Sequence, residues 1–218
     1  MMQAFSRAAV KPDASSAVNF HAAILRERPD LWGTMPVSPR QGETAHTLFL
    51  GDEAFKAPKR SLAIADFNVE PETLRRFERT GLPVPRVVYI GEDSVFYSMT
   101  RLPGVSLKSI LETLTPEEEQ IIARDITGFI IDMARAMPVR DGKFMAHGDL
   151  HAGNILVDPE TKRLTGVIDF GLIAYFPKGM LMDCMREPAL NKLVTDEYRR
   201  RKSELPDITF APRAPKTP

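Results

Sequence analysis

One segment of the sequence, residues 146–171, concentrates side chains that can do chemistry. It reads AHGDLHAGNILVDPETKRLTGVIDFG. Asn154 follows Asp149 by five residues, and Asp169 follows Asn154 by fifteen. Two β-prone runs joined by a polar turn separate Asn154 from Asp169, which is typical of a β-hairpin. Such a hairpin is expected to bring Asn154 and Asp169 to neighbouring places beside Asp149.

Two carboxylates and an amide in this arrangement suit the chemistry of magnesium and ATP. Mg²⁺ prefers hard oxygen ligands and keeps waters and phosphate oxygens in its shell, so Asn154 and Asp169 are the candidate metal ligands. A second carboxylate, Asp149, can orient an acceptor hydroxyl and take its proton. The phosphates also need a cation. Lys56 lies on the returning strand of a predicted hairpin, and the small Ala54, on the same face, leaves room for adenine.

The segment His147–Asn154 resembles the catalytic loop of the protein-kinase-like superfamily, and Asp169–Gly171 resembles its metal-binding motif. The resemblance implies a phosphotransferase that uses ATP and Mg²⁺, with Asp149 as the catalytic base and Lys56 as the phosphate-binding lysine. It also implies a nucleotide site whose remaining members are Gly42 in the phosphate loop, the Thr100 carbonyl and Leu102 amide at the adenine hinge, and Leu156 and Ile168 on the pocket floor. Leu156 and Ile168 are equally compatible with plain core strands.

Two of these assignments have competitors in the sequence. Lys59 competes with Lys56, although the proline directly before Lys59 disfavours a central strand. Glu70 is the expected ion-pair partner of Lys56 because its spacing matches the apolar face of the next helix. Glu72 is the alternative, since the proline that follows Glu70 biases Glu70 away from helical backbone.

The surrounding pattern predicts the elements that position these residues. Strands dominate residues 40–100, with helices predicted at 18–32 and 71–79, and helices dominate residues 105–137. The longest helix is predicted to begin at Thr115, whose spacing to Glu118 matches a capping box. We therefore predict an α+β protein with a minimal two-lobed protein-kinase-like fold, a β-rich N-lobe and a truncated α-rich C-lobe. The predicted organisation is a disordered segment at 1–20, the N-lobe at 21–101, the C-lobe at 102–205 and a loose tail at 206–218.

Three departures from the superfamily pattern bear on the substrate. Gly148 precedes Asp149 where many protein kinases have arginine, and His151 stands where serine/threonine kinases usually carry lysine; both favour the aminoglycoside- and choline-kinase branch. Only residues 172–218 follow the metal-binding motif. This small size, together with a polar N-terminus, is similar to the HopBF family of bacterial type III effector protein kinases over roughly residues 35–205. That resemblance implies secretion into a host cell, where a serine of the host's ATP-dependent heat-shock chaperone would be phosphorylated and the chaperone inactivated.

Composition narrows the remaining function classes. Lys and Arg total 29, as do Asp and Glu, so there is no basic excess for general nucleic-acid binding. No apolar run approaches the ~18 residues of a membrane span. The single cysteine, Cys184, excludes a cysteine-rich zinc site. We expect a monomer.

Three functions remain open: a protein serine kinase, a kinase of small molecules such as aminoglycosides, choline or lipopolysaccharide sugars, and a nucleotide-dependent binding module without catalysis.

Overall fold

The chain divides into two units. The computed structural model describes residues 17–38, 45–59, 67, 69–92, 96–178, 181 and 188–205. The β-sheet unit comprises residues 1–71 and 86–101, and the helical unit comprises residues 72–85 and 102–218. One division between the units falls after Arg101. Residues 72–85, which the sequence assigned to the N-lobe, cluster with the helical unit instead.

The described residues contain four α-helices and nine strands. The helices are α1 (Ala17–Glu27), α2 (Val69–Phe77), α3 (Pro116–Ala136) and α4 (Pro188–Arg201). The strands are β1 (Ala45–Leu50), β2 (Glu53–Pro58), β3 (Val87–Ile90), β4 (Tyr97–Thr100), β5 (Val105–Ser106), β6 (Phe144–Ala146), β7 (Ile155–Val157), β8 (Leu164–Val167) and β9 (Ala174–Phe176). None of the described helices is both long and apolar enough to cross a membrane.

The β-sheet unit is a four-stranded antiparallel sheet in the order β1-β2-β4-β3. Alternating residues of its strands form a core with α1, whose buried members include Phe20, Ile24, Leu48, Leu50, Phe55 and Phe96. Since side chains alternate between the two faces of a strand, Ala54 and Lys56 lie on the face opposite this core.

The first helix differs from its prediction at both ends. α1 begins at Ala17, inside the segment 1–20 predicted to be disordered, because the buried Phe20 and Ile24 anchor it to the sheet. It ends at Glu27 rather than near residue 32. Arg28 leaves the helical region (φ −126°, ψ 70°) because a proline follows it, and a short 3₁₀ turn replaces the predicted continuation. Residues 1–16 and the predicted tail at 206–218 lie outside the described residues.

The longest helix of the helical unit begins where its capping residues predict. The Glu118 N–H donates to the Thr115 hydroxyl (3.3 Å), and the Thr115 N–H donates to the Glu118 carboxylate (2.8 Å). This reciprocal pair is a capping box. The predicted apolar stripe of α3 is buried, and its members are Ile122, Ile126, Phe129, Ile130 and Met133. The helix thus packs against β6 and β8, two strands of this unit that lead to the candidate site.

We expect the interior glycine of α3 to limit its stability. A Cβ added at Gly128 would meet only the Arg201 Nη1 atom, at an ordinary 3.7 Å. Glycine in a helix interior costs about 0.8–1.0 kcal/mol relative to alanine, so Gly128→Ala should raise the free energy of unfolding by roughly that amount. Urea unfolding measures this, with Ala136→Gly at the end of the same helix as the reverse change. A lower stability for Gly128→Ala would contradict the described packing.

Candidate active site

The catalytic-loop sequence follows β6, and β6 pairs with β9. Phe144 lies opposite Phe176, and Ala146 lies opposite Ala174, in antiparallel register. This ribbon places the start of the loop beside the segment that follows the Asp169 motif. Two stretches distant in sequence are therefore held together at the point where the predicted chemistry resides.

His147 joins these two stretches by both of its ring nitrogens. The Asp149 N–H donates to His147 Nδ1 (3.3 Å), so the ring proton sits on Nε2, which donates to the Ile168 carbonyl (2.9 Å). The side chain is buried, and its ring centre lies 4.6 Å from that of Phe170. His147 therefore positions the backbone on either side of the site.

Asn154 makes the central connection. Its side-chain Nδ2 donates to the Asp149 carbonyl (3.0 Å), and its own carbonyl accepts from the Ile168 N–H (2.9 Å). The β7–β8 hairpin continues the second bond, with Ile155 opposite Val167. Because Nδ2 is used in this way, the amide oxygen of Asn154 is the atom left to bind a cation. The hairpin thus brings Asn154 next to the residue before Asp169, as the spacing predicted.

Asp169 adopts an unusual backbone conformation. It is left-handed (φ 71°, ψ 64°) and exposed, whereas the following Phe170 is fully buried. Phe170 packs against His147 and, edge to face, against Phe77 at a ring separation of 5.4 Å. Such conformations cost of order 1–3 kcal/mol and persist where the surroundings enforce them, often at functional sites. Burial of Phe170 supplies the enforcement, and it directs Asp169 away from the core.

Gly148 has a steric reason to be glycine. Its φ is +79°, and an added Cβ would lie 1.8 Å from the Leu172 carbonyl oxygen. An arginine side chain at this position is therefore incompatible with the described loop. The departure from the protein-kinase pattern at residue 148 follows from the close approach of these two backbone segments.

His151 lies close to the predicted base. Its Nδ1 accepts from the Gly153 N–H (3.0 Å), and its Nε2 lies 3.6 Å from the Asp149 Oδ2 atom. Both side chains are partly exposed, at 25% and 18%. The His151 imidazole is therefore close enough to form an ion pair with the Asp149 carboxylate when the imidazole is protonated.

The β-sheet unit contains the predicted lysine and its partner. Lys56 Nζ lies 2.7 Å from Glu70 Oε2, with the two side chains only 12% and 5% exposed. The Tyr97 hydroxyl donates to the same oxygen. Glu72 is exposed, because two residues along a helix correspond to a rotation of about 200°. The proline after Glu70 does not prevent the pairing, since it lies in the first turn of α2, where its missing N–H needs no partner.

Tyr97 is a member of this group that the sequence reasoning missed. It lies directly opposite Lys56 in the register between β2 and β4. Cross-strand neighbours share a face of the sheet, so the register would have identified Tyr97. The sequence alone does not specify that register.

Two of the predicted adenine-binding residues lie in the β-sheet unit, and three lie in the helical unit. Ala54 is buried on the Lys56 face of β2, and Thr100 ends β4. In the helical unit, a Cβ added at Gly166 would lie 2.3 Å from Leu102, so Leu102 packs against this strand position. Leu156 lies opposite Gly166 and shares that face, and Ile168 is half-buried nearby. Gly42 lies outside the described residues.

One carboxylate and one amide are the candidate oxygen donors for a magnesium site. No cluster of three or more His, Cys, Asp or Glu side chains suited to a metal occurs within the described ranges. The Asn154 amide oxygen and the Asp169 carboxylate nevertheless suit Mg²⁺, which uses few protein ligands when phosphates complete its shell. The donor chemistry therefore matches a nucleotide-bound Mg²⁺ better than a metal held by protein alone.

The segment that carries this arrangement is similar to known proteins. Residues 144–177, from β6 to the end of β9, match the APH phosphotransferase enzyme family. An aminoglycoside 3'-phosphotransferase of Streptomyces fradiae is 26% identical, covering 53% of this chain and 61% of that protein. The chain thus spans about three fifths of the length of this curated relative.

Two solved structures resemble the chain over most of its length. The streptomycin–ATP–APH(2″)-IIa ternary complex has a TM-score of 0.66 at 15% identity, covering 88% of this chain and 86% of that one. A macrolide 2'-phosphotransferase of Brachybacterium faecium has a TM-score of 0.56 at 16% identity, with 82% of each chain covered. The chain has the fold of these phosphotransferases. This confirms the predicted α+β, protein-kinase-like fold with a β-rich N-lobe and a helical C-lobe.

We expect Gly148→Ala to disable the loop. The new methyl group cannot occupy a position 1.8 Å from the Leu172 oxygen, so one of the two segments must move. A displacement of about 1 Å can lower kcat ~100-fold, and the strained backbone should cost roughly 1–3 kcal/mol of stability. Steady-state phosphate transfer and urea unfolding measure the two effects. Gly128→Ala is the matched control, and full activity of Gly148→Ala would refute the described contact.

The choice between the two glutamates is also testable. Glu70→Gln removes the charge that holds Lys56, so kcat/KM for ATP should fall at least ~10-fold, which corresponds to about 1.4 kcal/mol. Glu72→Gln makes the same chemical change at an exposed position of the same helix and should leave kcat/KM within about twofold. Equal losses in the two variants would show that the ion pair has no role in phosphate transfer.

Proposed function

We propose that the chain transfers the γ-phosphoryl group of ATP to a hydroxyl group of a small molecule. The observation that carries this proposal is the position of Asn154. Its side chain is bonded to the Asp149 carbonyl and its backbone to Ile168, the residue before Asp169. These bonds bring Asn154 next to the backbone of Asp149 and to the residue before Asp169, which supports a site built from two carboxylates and one amide oxygen, the set that phosphoryl transfer from Mg–ATP requires.

Asp149 is the proposed general base. Its carboxylate accepts the proton of the acceptor hydroxyl as the acceptor oxygen forms a bond to the γ-phosphorus and the bond to the bridging oxygen of ADP breaks. His147 keeps the Asp149 backbone in place. The left-handed Asp169 and the amide oxygen of Asn154 would hold Mg²⁺, which, when bound, neutralises phosphate charge.

Lys56 is the proposed phosphate-binding cation. Glu70 forms an ion pair with the Lys56 ammonium group, and the Tyr97 hydroxyl donates to the same Glu70 oxygen. These two contacts fix the position of the Glu70 carboxylate beside Lys56. Ala54 and Thr100 in the β-sheet unit and Leu102, Leu156 and Ile168 in the helical unit are proposed adenine contacts, and Gly42 a proposed phosphate contact.

The substrate class rests on the relatives and on the loop sequence. The proteins that resemble this chain are named for aminoglycoside and macrolide phosphorylation. Gly148 and His151 also favour a small-molecule kinase over a protein kinase. We therefore propose a hydroxyl-bearing small molecule, of the aminoglycoside or macrolide type, as acceptor.

Replacing the proposed base should separate catalysis from folding. General-base catalysis contributes about 10²–10⁴-fold, so Asp149→Asn should lower kcat by that factor and leave nucleotide affinity nearly unchanged. Asp158→Asn, at an exposed turn of the same unit, is the control, because asparagine can keep the turn hydrogen bonds that Asp158 makes. Transfer of labelled γ-phosphate at wild-type rate by Asp149→Asn would refute the assignment.

The acceptor class can be tested in one experiment. The purified chain is incubated with labelled ATP and Mg²⁺, in parallel with a panel of aminoglycosides and macrolides and with a eukaryotic lysate. Labelled small-molecule product supports the proposal. A single labelled protein band without small-molecule product would support the HopBF-like prediction of a host chaperone substrate instead. Thermal stabilisation by Mg–ATP without any transfer would support a non-catalytic binding module.

A further inference from the structure

A cavity of about 660 Å³ lies in the helical unit, away from the catalytic loop. The turn at residues 80–83, the outer face of α3, the start of β8 and the end of α4 form its walls. Leu164, which lines it, is at the opposite end of the β7–β8 hairpin from Asn154. Cavities that hold small ligands commonly measure about 300–1,000 Å³. The proposed phosphotransfer chemistry does not use this one.

Four arginines from three elements converge on this cavity. They are Arg124 and Arg135 of α3, Arg163 of the turn before β8, and Arg201 of α4. Three carboxylates face them: Asp125 and Asp132 in the lining, with Asp132 3.6 Å from Arg135, and Glu204 beside the cavity, which pairs with both Arg135 (3.3 Å) and Arg201 (2.7 Å). The wall is therefore cationic in a chain whose formal net charge is zero.

Neighbouring groups hold these guanidinium groups in place. Arg163 binds Asp125 through two nitrogens, at 2.7 and 3.0 Å. Arg201 donates to Glu204 (2.7 Å) and to the carbonyl of Arg124 (3.4 Å), and Arg135 donates to the carbonyl of Glu204 (3.0 Å). The hydrogen bond from Arg201 lowers the pKa of the Glu204 carboxyl, so Glu204 remains ionised at neutral pH. Preorganised side chains lose less conformational entropy when a ligand binds.

These bonds leave donors available. A guanidinium group has five N–H donors, and the bonds described use at most three of them in any of the four arginines. Arg124 uses one, from Nε to the carbonyl of Gln120 (3.2 Å), and it has no carboxylate partner among the residues that the structure describes. The planar fork of a guanidinium group matches a phosphate bidentately.

We propose that this cavity binds a small polyanion, a molecule that carries at least two phosphate groups. The limited volume favours a small molecule over an extended polyanion such as nucleic acid, which needs a long basic surface. Arg124 is the primary anion contact, and Arg135, Arg163 and Arg201 complete the cationic wall. The proposal is independent of the proposed phosphotransferase activity.

Binding of pyrophosphate to the full chain tests this site. Isothermal titration calorimetry is carried out without Mg²⁺, because metal-linked binding at the nucleotide site is then suppressed. Wild-type protein should bind pyrophosphate with an affinity that weakens as salt increases. Arg124→Gln should weaken binding at least ~10-fold, and Arg124→Glu should abolish it. Arg76→Gln, at an exposed position of α2 outside the cavity, should bind like wild type.

A second variant distinguishes the cavity from the proposed nucleotide site. Lys56→Gln should leave pyrophosphate binding unchanged if the cavity is the binding site. Loss of binding in Lys56→Gln with retention in Arg124→Gln would overturn the proposal, as would absence of binding to wild-type protein at millimolar pyrophosphate. Thermal unfolding confirms that each variant is folded. Arg124 is exposed, and its side chain makes one hydrogen bond, so its replacement should leave the unfolding temperature close to that of wild type.

Discussion

The candidate site depends on the two hydrogen bonds of Asn154. One reaches back to the carbonyl of Asp149, and the other reaches across the hairpin to Ile168. Together they bring the backbone of the loop before β7 and the backbone of the segment after β8 to the same residue. Because Asn154 is almost fully buried, these bonds form in a region of low dielectric, where losing one leaves a polar group without a partner. The residue proposed to supply an oxygen for a cation thus also holds together the backbone segments on either side of it.

Near Asn154, the burial of neighbouring side chains compensates for unfavourable backbone conformations. The positive φ values of Gly148 and Asp169 occur where two segments approach closely, and the buried ring of Phe170 lies beside both. His147 packs on that ring while bonding to both segments. Conformations that are unfavourable one residue at a time are therefore stabilised by packing elsewhere, which fixes the direction in which the Asp169 side chain leaves the core.

Local sequence signals predicted much of the fold. The capping residues at Thr115 marked the start of α3, and the hairpin predicted to carry Lys56 is the β1–β2 hairpin, because both depend on short-range interactions among neighbouring residues. The end of α1 was less well predicted, since the proline effect on Arg28 competes with an apolar pattern that continues beyond it. The spacing of the catalytic-loop motif predicted that Asn154 lies beside the residue before Asp169, because a short polar turn between two β-prone runs favours a hairpin.

The sequence by itself therefore determined the chemical groups of the candidate site, the order of its elements and the α+β fold class. Only the tertiary structure decided that Glu70, rather than Glu72, pairs with Lys56, and that Tyr97 bonds the same carboxylate. It alone brought the arginines of α3 and α4 around one cavity. The reason is physical: motifs and caps are encoded by residues within a few positions of one another. Helix phase, strand register and the meeting of distant side chains are set by how the whole chain buries its apolar surface.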